Sequence, residues 1–150
     1  MEKQPASPAR LMRWMKLSFV ICGLLIIGIA IRIPVQSQHA PDPAFELAIA
    51  ILALATVIAG FAAPRFFERV ARPAPEGRPD STALNRWVTK NVFSLACLNA
   101  CNLLGFVLNR VGGRVRLVEA VFTIGMIALL AWSPGIPPAA DENRSGVSVA

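Results

Sequence analysis

Apolar residues fall into four long runs, at about 14–33, 44–63, 91–111 and 116–132, and polar residues collect between them. Each run is close to the ~20 residues that a helix, rising about 1.5 Å per residue, needs to cross a ~30 Å hydrocarbon core. A helix satisfies its own backbone hydrogen bonds, which lipid cannot do, so the runs predict helices. The expected fold class is all-α: an integral membrane four-helix transmembrane bundle forming one domain over residues 1–150. The punctuation agrees. Pro34 closes the first run, and Pro41 and Pro43 precede the second. A proline-rich loop at 73–79 follows the second run, and Asp80 or Ser81 offers an N-cap for a helix running to about 109. Gly112 and Gly113 make a tight turn, and Pro134, Pro137 and Pro138 stop the last span. Polar tails at 1–10 and 139–150 are expected to be flexible.

Charge sets the expected orientation. Lys3, Arg10, Arg13, Lys16, Arg65, Arg69, Arg72, Arg78, Arg86, Lys90 and Arg144 fall on one side of a four-span arrangement. Only Arg32, Arg110, Arg114 and Arg116 fall on the other. Positive residues favour the cytoplasm, so both termini and the long loop belong there: N-in, C-in. Trp14, Trp87 and Trp132 all lie at that same end, where indoles favour the membrane–water interface. The basic start and first apolar run resemble a secretory signal, but Gln-Ser-Gln-His-Ala is a poor cleavage site. The first run is therefore read as a retained span.

Composition narrows the function classes. Hydrophobic residues make up 55% of the chain and charged residues 16%, with the charges almost wholly outside the runs. The net charge of +6 belongs to the flanks of the spans, and no basic helix or aromatic–basic module points to nucleic acid. Among the groups that carry catalysis, no Gly-rich phosphate cradle, Ser-His-Asp set or acidic cluster is present. His39 is the single histidine, a loop residue unable to build a zinc or bis-His haem site alone. Cys22, Cys97 and Cys101 lie at mid-membrane positions. A Cys-x-x-x-Cys pair within one helix does not bridge without strain, so all three read as small apolar packing residues. No catalytic, metal-binding or cofactor-binding residue, and no cofactor, is expected.

Three features stand out within this frame. The second span carries small residues at Ala55, Thr56, Ala59, Gly60 and Ala63, in rows spaced by four. Such rows let helices approach closely in lipid and are expected to form a packing seam, within the bundle rather than between subunits. The third span carries Asn91, Ser94, Asn99, Asn102, Gly105 and Asn109. At ~100° per residue, Asn91, Asn102 and Asn109 fall together, and Val92, Phe93, Ala96, Leu103, Leu104 and Val107 fall opposite. This polar face should turn away from lipid, either as interhelical glue or as the lining of a pocket or pathway. Glu46 and Glu119 lie near the outer ends of the second and fourth spans, close to Arg110, Arg114 and Arg116. Interfacial ion pairs between them are expected, rather than a proton relay, which places its carboxylate at mid-membrane.

The stretch 91–113, with Ser94-Leu95-Ala96 and Leu104-Gly105-Phe106-Val107-Leu108, then a short turn and a last span ending Ser133-Pro134, resembles small uncharacterised four-span bacterial inner-membrane proteins. The likeness covers about a third of the chain. It implies a multi-pass bacterial inner-membrane protein and no defined activity. An acidic residue often stands in those proteins where this chain has Asn99. Small multidrug exporters depend on an intramembrane glutamate that the first span here lacks.

The expected partners are the lipid bilayer and other membrane subunits or a second copy, and not nucleic acid. The expected role is non-enzymatic: an accessory or scaffold subunit of a membrane complex, or a homo-oligomer. The alternative is a small transporter or channel for a neutral or weakly polar solute, lined by the polar face of the third span.

Overall fold

A computed structural model describes residues 8–33, 41–70, 81–135 and 137. Four helices form among them: α1 (Pro8–Arg32), α2 (Pro43–Val70), α3 (Ser81–Arg110) and α4 (Val115–Ala131). Three are long and apolar enough to cross a membrane, over Pro8–Arg32, Pro43–Arg69 and Ala83–Arg110. At 17 residues, α4 spans about 26 Å. His39, the loop at 73–79 and the tails at 1–7 and 138–150 lie outside the described residues.

Two helix boundaries differ from the sequence-based expectation. α1 begins at Pro8 rather than near 14, so residues 8–10 of the expected flexible tail are helical. Proline fits the first helical position, where its missing N–H costs nothing, and Ala9, Arg10, Leu11 and Met12 are strong helix formers. α2 continues through Pro64 to Val70 instead of ending at 63. Pro64 forfeits the bond to the Gly60 carbonyl, yet Ala62 and Ala63 before it and Arg65 to Val70 after it hold the helix. The α3–α4 turn follows its glycines. Gly112 takes φ 83°. Its N–H donates to the Asn109 carbonyl at 3.2 Å and that of Gly113 donates to Leu108 at 2.9 Å, the double bond of a glycine C-terminal stop. A Cβ on Gly113 would lie 2.7 Å from the Leu108 side chain, so both positions need glycine.

Successive helices run antiparallel, and α3 is the hub. It packs against α1, α2 and α4, whereas α1 and α2 do not touch each other. Half of α3's most apolar stretch is buried, against 22% of α2's and 11% of α1's. Its outward stripe of Phe93, Ala96, Leu103 and Val107 is the apolar face the helical projection sets against the amides. Leu95, Leu98, Cys101 and Leu108 are buried as well, because three neighbours leave little of the surface uncovered.

The α2 seam lies elsewhere than expected. Gly60 and Ala63 are buried and Thr56 is half-buried, but Ala55 and Ala59 point outward. The contact stripe is Glu46, Ile49, Ala53, Gly60 and Ala63. Leu98 lies directly on Gly60, where an added Cβ would come within 2.7 Å of it. Thr56 turns its hydroxyl to its own helix, donating to the Ala53 carbonyl at 2.7 Å. A row of small residues looks the same on either side of a helix, and Leu98 decides which side α3 takes.

Candidate functional site

Asn91, Asn99 and Asn102 of α3 are buried and Asn109 is half-buried. Asn91, 1% exposed, donates to the Trp87 carbonyl one turn earlier at 2.8 Å. Ser94 likewise donates to the Lys90 carbonyl at 2.9 Å. These two side chains close on their own helix and need no partner across the bundle. Asn109 reaches across, donating to the Ala30 carbonyl of α1 at 3.0 Å. Gly105 holds α3 against α4, where a Cβ would meet Phe122 at 3.1 Å and Val121 at 3.2 Å.

Asn99 and Asn102 form the centre of the α1–α3–α4 junction. Asn102 Nδ2 donates to Asn99 Oδ1 at 3.4 Å and lies 3.9 Å from Met126 Sδ. Asn99 Nδ2 lies 3.7 Å from Cys22 Sγ on α1. Thioether and thiol sulfurs are weak acceptors, so this is a soft network. Two glycines bracket the Asn102 amide. A Cβ on Gly23 of α1 would stand 3.0 Å from Asn102 Nδ2, and one on Gly125 of α4 would fall on Asn102 Oδ1. That oxygen is buried without a hydrogen-bond partner among the described residues. It rests against the bare backbone of Gly125, where Cα–H groups are the available weak donors. The Asn102 side chain has no exposed surface.

Charged side chains from two other helices meet the ends of α4. Glu46, 5% exposed, comes from the first turn of α2 to the start of α4. Its Oε1 accepts the Arg114 backbone N–H at 2.9 Å, and Oε2 lies 3.3 Å from Arg114 Nε. Arg114 is the N-cap of α4 and makes no side-chain cap of its own. Glu46 therefore supplies the missing cap, its negative charge at the positive pole of α4. At the far end, Lys16 of α1 donates to the carbonyls of Leu130 at 2.9 Å and Trp132 at 2.5 Å. The helix is thus capped at both poles by opposite charges from two other helices. Arg110 is engaged too. Glu119 and Arg116 are exposed, without a hydrogen-bond or ion-pair partner among the described residues.

In the sequence Lys16 is one more positive charge flanking a span. The available signal was its place inside an apolar stretch, two residues past Trp14, too deep for a residue needed only at the interface. The tryptophans also divide. Trp14 is 63% exposed and suits a lipid interface, but Trp87 and Trp132 are buried. Trp87 Nε1 donates to the Gly135 carbonyl at 3.0 Å, tying the chain beyond α4 to α3. At the same end Lys90 and Glu68 pair at 2.8 Å, beside the edge-to-face rings of Phe67 and Phe93. This pair is largely exposed on the Glu68 side, so water screens most of its attraction.

Cys22, Cys97 and Cys101 are free thiols, and the Cys101 thiol donates to the Val121 carbonyl at 3.5 Å. No group of three metal-ligating side chains occurs among the described residues. A cleft of about 510 Å3 lies between α1 and α4, where Asn109, Glu119 and Thr123 interrupt an otherwise apolar lining. No family model, curated protein or solved structure matches this chain.

Proposed function

We propose that this chain is a four-span bacterial inner-membrane protein, N-in and C-in, that works through helix packing and carries no chemistry of its own. Its role is that of an accessory or scaffold subunit of a membrane complex, or of a homo-oligomer. One observation carries the reading: Asn91 and Asn109 bond within the bundle, while Ala55 and Ala59 of α2 face outward. Without a hydrophobic drive between helices in lipid, small residues are where a further helix approaches closely. The outward row extends along α2 through Ala48 and Ala62. α4 serves as the fourth span despite its length, because caps at both poles leave few backbone groups for water to satisfy.

Cysteine cross-linking tests the packing role. In a background with Cys22, Cys97 and Cys101 replaced, Ala55→Cys and Ala59→Cys should cross-link in native membranes to a second copy or to another subunit. Ala53→Cys, buried against α3, should not. A chain that stays uncross-linked at 55 and 59, and that purifies alone as a monomer in mild detergent, overturns the proposal. Orientation has its own test: a reporter active only outside the cytoplasm should work when fused within 34–40 and fail within 71–80.

Solute transport along α3 is the alternative. It requires Asn91, Asn102 and Asn109 to be reached by water, and thiol reagents at cysteines placed there would reveal it. The bonds of Asn91 and Asn109 and the full burial of Asn102 weigh against it.

A further inference from the structure

The α1–α4 cleft has a shape and a charge pattern that the packing role leaves unused. α1 and α4 are drawn together where Lys16 meets Trp132 and where Gly23 faces Met126. The cleft lies between Ile27, Ala30 and Ile31 on one wall and the face of α4 from Val115 to Leu130 on the other, with Asn109 of α3 also lining it. Along α4 that face is about 22 Å long, more than the ~15 Å depth of one leaflet's hydrocarbon. Its 510 Å3 falls within the ~300–1,000 Å3 of small-molecule sites. The lining is apolar apart from Asn109, Thr123 and Glu119, and Glu119 stands about one turn into α4. Arg116 lies three residues earlier, and in helical projection it falls between Thr123 and Ile127 of the lining. Neither charge has a partner among the described residues, although their neighbour Arg114 is held by Glu46. An unpaired carboxylate at the membrane edge attracts a cation, and a guanidinium suits a phosphate.

We infer that this cleft binds one phospholipid with a primary-ammonium headgroup, of the phosphatidylethanolamine type. Glu119 accepts from the ammonium, Arg116 donates to the phosphate, and one acyl chain fills the apolar cleft below. The inference rests on the four-span reading, which sets the cleft against lipid.

Native mass spectrometry of the full chain, extracted in mild detergent, tests it with added phosphatidylethanolamine, phosphatidylcholine and phosphatidylglycerol. Wild type should retain one phosphatidylethanolamine, at least about fivefold more than either other lipid. Glu119→Gln should lower that retention at least about fivefold and abolish the preference over phosphatidylcholine. Thr123→Phe, which fills the cleft from an exposed position, should remove bound lipid altogether. Both substitutions are at exposed positions, and circular dichroism checks that each variant is folded; should Thr123→Phe fail that check, Glu119→Gln decides. The inference is overturned if wild type in the membrane fraction retains no lipid, binds all three lipids alike or forms a lipid-free dimer through this face. Retention unchanged by Glu119→Gln overturns it as well. Absence of the chain from the membrane fraction instead defeats the four-span reading itself.

Discussion

α1 and α3 are helices of 25 and 30 residues that run in the same direction. α1 is the more apolar and the more exposed, with large side chains such as Leu25 and Ile31 at 60% and 79% exposure. α3 is the least apolar of the three long helices and is the most buried. In water this order would be reversed, because apolar surface drives burial there. In lipid the apolar helix is already in a matching solvent, and polar groups are what must be covered. The difference teaches that centrality in this bundle follows amide content. Asn91, Asn99 and Asn102 take α3 to the middle, and α1 joins through a few small or polar positions: Lys16, Gly23 and the Ala30 carbonyl.

Overfilling the Asn102 site should break the contrast most severely. Gly125→Ala places a methyl on the Asn102 amide and should cost about 3 kcal/mol, read as a lowered midpoint of unfolding in detergent. Removing the grip of α1 on α4 comes next. Lys16→Met strips two carbonyls at the α4 terminus of their donor and should cost about 2 kcal/mol. Hydrogen exchange should rise over 129–135 and stay unchanged over 115–118. Smaller is the term between the two central amides. A double-mutant cycle of Asn99→Ala and Asn102→Ala should give a coupling of about 0.6 kcal/mol, as for other hydrogen bonds within membranes. A coupling of zero would mean that Asn102 acts by shape alone. Smallest of all is Gly28→Ala, since nothing lies within 4 Å of the added carbon. Its effect should stay within ~0.5 kcal/mol, which would sharpen the view of α1 as a helix held at points rather than along a face.

Much of the scaffold could be read from residues alone, since prolines and glycines punctuate it. The ends of α3 and α4 follow from Ser81, Gly112 and Pro134, and the inward turn of the α3 amides follows from lipid's inability to bond them. The meeting of Glu46 with Arg114 was foreshadowed by their places at the ends of adjacent runs. Which side α2 presents was not readable: Ala55–Ala59 and Gly60–Ala63 are equally small, and only the fit of Leu98 separates them. Nor was the depth of Lys16, whose role needs α4 to end one side-chain length away. The cleft is not legible in the sequence because residues of three helices, α1, α3 and α4, line it together, which no pattern along one of them encodes.

The dependence of α4 on its neighbours also bears on its length. The helix follows the other three along the chain, yet both of its ends are finished by side chains from the first two, Glu46 of α2 and Lys16 of α1. A nascent chain stopped before residue 115 holds an acid and a base with nothing between them. In the complete structure those two side chains stand one helix length apart, so deletion of a single residue from α4 would leave one pole without its cap.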